Sequence, residues 1–281
     1  MTAAERATPQ VDAVRTRLRA VWSAGDYAEV ARRIIPDLGA VVVDAAAVRP
    51  GDRVLDVASG TGNAALPAAA RGADVVAVDI TPELLDVGEA EARRRGLPIE
   101  WAEVDAAAMP YADGEFDVVL SCVGVMFVPD QQAAAAELLR VCRPGGTLAL
   151  LSWTPTGFIG DLLRAIGPHA PPPPPGARPP VLWGDEEHVR SLLGDGVTGF
   201  TATRGAVVVD GFASPDEWRD WFAPRYGPIR AIHAALAATP DRAAALDADL
   251  ADVARRYDRG SGATVMDWEY LLITAHRGGR S

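Results

Sequence analysis

The 281-residue sequence contains no lysine: all 27 basic residues are arginine. That absence excludes Schiff-base chemistry on an amine, a P-loop lysine and a Tyr-Lys reductase pair. Cysteine is scarce, with Cys122 and Cys142 as the whole complement. They fall on segments that read as a core strand and a helix end, so no disulfide framework follows and a reducing cytoplasm is expected. No run approaches the ~18 apolar residues that a spanning helix requires. The opening MTAAERATPQ has no apolar centre, so it does not read as a signal peptide; disorder is expected before Val11. Positive charge is in deficit, with a formal net charge of −11. That disfavours nucleic acid and an anionic membrane surface as partners. No His/Cys/Asp cluster has metal-ligand spacing, and the acidic loop DGEFD is too short and wrongly spaced for calcium.

What is present is a chain 49% hydrophobic, enough for a substantial core. Residues 11–47 read as helix in two segments, parted near Gly25. Strands are expected over 53–57, 74–79, 99–105 and 116–125, near-continuous apolar runs like those of a parallel sheet. Between them lie helices over 63–70 and from Thr81-Pro82 to Gly96. A helix over 131–142, a turn at RPGG and a fifth strand over 147–153 follow. Strand and helix alternating so regularly mean a doubly wound α/β sheet.

After Trp153 the rhythm changes. A short helix over 158–166 leads to the pentaproline run 171–175, expected as an extended polyproline spacer. A helix capped by Asp185 follows, then a sixth strand over 200–209 bent at Gly205. Residues 214–257 read as mostly helical, and EYLLITAHR as the final strand.

The stretch VLDVASGTGN (54–63) is where a ligand is expected. The Gly60-Thr61-Gly62 turn between strand and helix bares backbone N–H groups and matches a dinucleotide fingerprint, GxGxxA. It also suits a plain tight turn. Asp56 lies just before it, where a carboxylate repels a pyrophosphate and attracts an ammonium or sulfonium. Asp79 ends the second strand, where a carboxylate accepts both ribose hydroxyls, and Asp105 ends the third, placed for an adenine amino group. An adenosine with a zwitterionic sulfonium tail satisfies all three. The structural alternatives are a helix-approach cap for Asp79 and a turn acid for Asp105. Asn63, the only asparagine, stands at the helix start as a cap or a ligand contact.

Four segments, VLDVASGTGN, VVAVDIT, VDAAAMPYADGEFDVVLSCVGVMF and ELLRVCRPGGTLALLSW, resemble class I S-adenosylmethionine-dependent methyltransferases in order and spacing. The look is that of the ubiquinone/menaquinone-biosynthesis type, over residues 49–153. The family's D-x-G-x-G-x-G is altered here, with Ala58 in place of the first glycine. The resemblance implies a Rossmann-like, mostly parallel seven-stranded sheet with an antiparallel last strand. It implies S-adenosylmethionine contacts at Gly60, Thr61 and Gly62, at Asp79 and Ile80, at Asp105 and Ala106, and at Cys122. Residues 1–48 then form a helical cap, 49–153 the cofactor-binding core, and 154–281 the remainder. Within that remainder the helices of 214–257 interrupt the last hairpin as a lid, and the whole is one structural domain.

The expected chemistry is in-line methyl displacement onto a small acceptor, with no metal and with catalysis chiefly by positioning. The expected partner is a small molecule bound by a monomer or homodimer. Trp22, Trp183, Trp218, Trp221 and Trp268, with Tyr27, Phe127, Phe158, Phe222 and Tyr226, suggest an apolar or planar acceptor, or else a second core. His188, His169 and Tyr27 are the candidate bases if the acceptor must lose a proton. Two other readings stand: an NAD(P)-dependent oxidoreductase, and a protein that binds S-adenosylmethionine without methylating.

Overall fold

The computed structural model of the chain describes residues 9–173 and 176–279. The stretch before Val11, where disorder was expected, lies outside the described residues as far as residue 8; Pro9 opens the first helix. Pro174 and Pro175 of the pentaproline run also lie outside them.

Among the described residues three helices, one more than expected, precede the sheet: α1 (Pro9–Ser23), α2 (Tyr27–Ile34) and α3 (Leu38–Ala45). The break near Gly25 is the expected one, with the Asp26 side chain accepting the Glu29 N–H to start α2; the extra break falls between Ile34 and Leu38, at Pro36, which has no backbone N–H to continue a helix. Then β1 (Arg53–Val57), α4 (Ala65–Ala70), β2 (Asp74–Asp79), α5 (Pro82–Arg95), β3 (Ile99–Glu103) and β4 (Phe116–Cys122) alternate as the sequence predicts. After them come α6 (Gln131–Val141), β5 (Cys142–Trp153), α7 (Phe158–Ile166), α8 (Glu186–Leu193) and β6 (Val197–Phe212). The chain ends with α9 (Pro215–Phe222), α10 (Gly227–Ala235), α11 (Pro240–Tyr257) and β7 (Thr264–Arg277).

The sheet order is β3-β2-β1-β4-β5-β7-β6. The pairs among β1 to β5 are parallel, and β7 runs antiparallel to both β5 and β6. Central strands are covered on both faces, which is why RVLDV and DVVAVD carry branched apolar residues with no polar alternation. The order reverses between β1 and β4, so the carboxyl ends of these strands flank a crevice, where open α/β sheets place ligands.

Two local expectations are corrected. The RPGG turn is absorbed into β5: Phe116 pairs with Cys142 and Val118 with Thr147, so 143–146 bulge from the ladder, with Gly145 at φ +74°. Cys142 therefore opens a strand rather than closing a helix. β6 is irregular between Thr198 and Thr201 and between Val209 and Phe212, whereas Gly205 keeps regular register opposite Tyr270. Glycine is needed there for space: a Cβ would come within 2.4 Å of the Tyr270 ring.

The 214–257 helices serve a second core. Phe158 stacks on Trp268 at 4.6 Å, and Trp218 on Phe222 at 5.0 Å. All four, with Trp183, are buried at 2% exposure or less. Each large ring buried there removes on the order of 150–250 Å² of surface from water. Among the described residues no helix is long and apolar enough to cross a membrane.

Candidate active site

At the end of β1 the backbone turns sharply. Ala58 and Gly60 adopt left-handed conformations, φ +53° and +55°, and Gly62 has φ +85°. The Ser59 N–H donates to Val78 O at 2.9 Å, and Gly62 N–H to Ser59 O at 2.8 Å. Two buried carboxylates hold the turn. Asp79 Oδ2 accepts the Gly60 N–H at 2.9 Å while its Oδ1 accepts the Thr81 N–H at 2.9 Å. Asp56 Oδ2 accepts the Ala65 N–H at 2.8 Å, which pins the start of α4 from below. Burial pushes both acids up, Asp56 to about 7.

Above the turn is a cavity of about 840 Å³. Its sheet side is built by Ala58, Ser59, Gly60, Asp79 and Ile80, then Asp105 and Ala106, with Cys122 and Val123 from the end of β4. Ser121 secures that end: its hydroxyl donates to Val57 O at 2.7 Å and accepts the Val125 N–H at 2.9 Å. Val123 takes φ +56°, which turns the chain under the cavity. The Ser59 hydroxyl, in the cavity wall, is buried with no partner among the described residues.

The opposite wall comes from α1. Val14, Leu18 and Trp22 face the cavity. Trp22 packs edge-on against Phe127 at 4.7 Å and Tyr27 at 5.7 Å. Arg15 lies 3.5 Å from Asp105, and Arg19 reaches Glu83 at 3.1 Å and Glu103 at 3.5 Å. These ion pairs tie α1 across the carboxyl ends of β2 and β3. The far end is lined by Gln131, Arg178, His188, Ser191 and Leu192.

The geometry can be set beside known proteins. The methyltransferase-domain family matches residues 55–150. An uncharacterised protein of Mycobacterium tuberculosis is 47% identical over 259 residues, covering 92% of this chain and 93% of the relative. A demethylmenaquinone methyltransferase of Renibacterium salmoninarum is 43% identical over 118 residues, 42% of this chain and 48% of that one. The structure of Haemonchus contortus phosphoethanolamine N-methyltransferase 2 superposes with a TM-score of 0.55 at 13% identity, covering 86% of this chain and 53% of that one.

Residues 55–150 are a methyltransferase domain of the class I S-adenosylmethionine-dependent type.

Within this family fold, ten of the residues singled out from sequence line one cavity: Tyr27, Ala58, Gly60, Asn63, Asp79, Ile80, Asp105, Ala106, Cys122 and His188. Four do not. Asp56, Thr61 and Gly62 are not lining residues: Asp56 is buried with Oδ2 on the Ala65 N–H and Oδ1 without a partner among the described residues, and Gly62 faces the Trp101 ring, 2.6 Å from where its Cβ would stand. His169 lies outside the cavity as well, with Nε2 2.7 Å from Asp249 on α11. Asn63 is not the cap of α4; that position is Ala64, which makes no side-chain bond.

Of the ten aromatic residues suggested for the acceptor, Trp22, Tyr27 and Phe127 reach the cavity. No residue of 214–257 lines the cavity; α1, α8 and the segment 176–178 contribute its outer wall. Burial pushes the Tyr27 phenol far up, with Cys122, Tyr226 and Asp79 adding to the effect, so it rests protonated and can donate or accept a hydrogen bond. Burial pushes the Cys122 thiol up in the same way.

Sequence reasoning missed Ser59, Arg15, Gln131 and Arg178. Arg15 carried a usable signal, since it lies on the helical face that also presents Leu18 and Trp22. Gln131 and Arg178 carried none, being brought in by tertiary contacts.

Proposed function

We propose that this chain transfers the methyl group of S-adenosylmethionine to a small, apolar or aromatic acceptor. One observation carries the reading: a single cavity joins the Asp79–Gly60 turn at the sheet edge to His188 and Leu192 beneath the cap. Its volume of about 840 Å³ suits two small molecules side by side.

The residues present fit the cofactor. Asp79 keeps lone pairs free beyond its two backbone bonds and borders the cavity, which suits vicinal hydroxyls. The unpartnered Ser59 hydroxyl and the bare Gly60 backbone suit a polar amino-acid tail. Asp105 and Ala106 would meet the adenine edge, and Ile80 its face. When bound, S-adenosylmethionine supplies an electrophilic methyl on a sulfonium.

The chain's own part is placement. α1 closes over the site and excludes water, and Trp22, Phe127, Val123 and Leu192 give the acceptor an apolar berth. His188 is the candidate base. Burial first, and then the positive charge of Arg178, hold its imidazole below the ordinary range, so it rests neutral. The net charge of −11 supports a small-molecule acceptor over nucleic acid or an anionic membrane, and the two buried free thiols suit the cytoplasm.

The test is calorimetric titration with S-adenosylhomocysteine, with NADPH as control, followed by mass analysis of products. Micromolar S-adenosylhomocysteine binding without NADPH binding is expected. NADPH binding alone would reassign the turn to a pyrophosphate. S-adenosylhomocysteine binding with no methylated product from any candidate acceptor would favour a protein that binds S-adenosylmethionine without methylating.

A further inference from the structure

Resting on the methyl-transfer reading, we infer that Gln131 is a positioning residue that fixes the tautomer of His188 and leaves Nδ1 as the proton acceptor at the far end of the cavity. Gln131 opens α6 and is 3% exposed. Its Nε2 donates to Pro179 O at 3.1 Å. A backbone carbonyl only accepts, so the amide nitrogen must be the atom that faces it. The amide oxygen is then turned toward His188, 2.7 Å from Nε2. Two acceptors do not face each other at that distance, so His188 Nε2 carries the proton.

A neutral imidazole protonated on Nε2 has its lone pair on Nδ1. Nothing among the described residues engages that nitrogen. The residue is held at three points: its N–H donates to Asp185 Oδ1 at 2.8 Å, its carbonyl accepts from Ser191 Oγ at 2.7 Å, and its ring is on Gln131. Gln131, His188 and Ser191 all line the cavity.

The charged groups acting on the ring are Arg178 and Asp185, of opposite sign. Arg178 opposes an imidazolium, and its positive charge favours an anion on the acceptor. In the step itself, an O–H or N–H of the acceptor gives its proton to Nδ1. The bonding electron pair stays on the acceptor heteroatom, and the ring becomes an imidazolium whose Nε2–H remains on Gln131. Gln131 thus does for His188 what a carboxylate does for a charge-relay histidine, but without a charge that would keep the ring protonated at rest.

The experiment needs neither cofactor nor acceptor. Long-range proton–nitrogen NMR on protein carrying isotope-labelled histidine reads each ring's tautomer, and His188→Asn assigns the signal. Wild type is expected to show His188 protonated on Nε2 at neutral pH. Gln131→Met, similar in shape but without hydrogen bonds, is expected to give a mixture of tautomers. An Nδ1–H tautomer in wild type, or an unchanged tautomer in Gln131→Met, overturns the inference.

Diethyl pyrocarbonate supplies the second arm, since it acylates a neutral imidazole at an accessible lone pair. Modification of His188 in the native protein, located by mass spectrometry, is expected. Modification only after denaturation would mean that Nδ1 is not presented to the cavity, and overturns the base role. Neither arm depends on S-adenosylhomocysteine binding, so failure here is separable from failure of the methyl-transfer reading.

Discussion

Asp79 holds Gly60 across nineteen positions of sequence: its Oδ2 accepts the Gly60 N–H at 2.9 Å, and both residues face the same cavity. The carboxylate that would meet the ligand therefore also shapes the turn that receives it. Asp79→Asn keeps the volume but turns an amide N–H₂ toward one of two backbone donors. S-adenosylhomocysteine affinity is expected to fall roughly 10- to 100-fold, with about 1–3 kcal/mol lost from folding stability. Calorimetry and urea unfolding separate the two effects. Unchanged affinity in a folded variant would remove Asp79 from the binding site.

Asp56 predicts a pH effect. It is 1% exposed, and burial pushes it up to about 7. A carboxyl whose folded-state pKa is raised binds its proton more tightly when folded. Its contribution is full below the ordinary carboxylate range and is lost as pH rises through about 7. Asp56→Asn retains the acceptor for the Ala65 N–H and cannot ionise. Between about pH 5 and about pH 8, wild type is expected to lose a few kcal/mol more stability than Asp56→Asn. Parallel pH profiles for the two proteins would refute the shift.

Much of this architecture was legible in the sequence where the physics is local. β1 and β2 begin and end at the residues expected, because an unbroken branched apolar run between an arginine or aspartate and a turn admits little else. Gly96 stops α5 at φ +68°, and Asp185 caps α8 through the His188 N–H. The failures are tertiary. RPGG carries turn chemistry, yet pairing with β4 makes it a bulge in a strand. Trp218 and Trp22 look alike in sequence, but one is fully buried on Phe158 and Trp268 while the other lines the cavity. Asp56 reads as a ligand carboxylate, yet it does not line the cavity, with Oδ2 on the Ala65 N–H and Oδ1 buried without a partner among the described residues.

Ala58 takes the place of the first glycine of the motif D-x-G-x-G-x-G, and the structure shows what that residue endures. It is left-handed at φ +53°, and its carbonyl lies 2.1 Å from where a Cβ on Gly124 would stand. Left-handed backbone costs a residue with a Cβ about 1–2 kcal/mol, partly offset by the greater unfolded-state freedom of glycine. Ala58→Gly is expected to raise stability by roughly 0.5–1 kcal/mol and to leave S-adenosylhomocysteine affinity within about twofold. A drop in the thermal midpoint would mean that the methyl group's packing outweighs the strain.

Trp218 and Trp22 test where the acceptor sits. Trp218 is fully buried, packed on Phe158, Phe222 and Trp268, and does not line the cavity. Trp218→Ala removes a large ring from a close-packed core and is expected to cost about 3–5 kcal/mol while the folded fraction binds S-adenosylhomocysteine as wild type does. Trp22 is only partly buried, with its ring against Phe127, Tyr27 and Tyr226. Trp22→Ala is expected to cost less stability but to open the wall that α1 presents, so that turnover on any acceptor falls more than cofactor affinity. The opposite pattern, a mild loss of stability in Trp218→Ala with abolished ligand binding, would return the 214–257 helices to the site and move the acceptor to the second core.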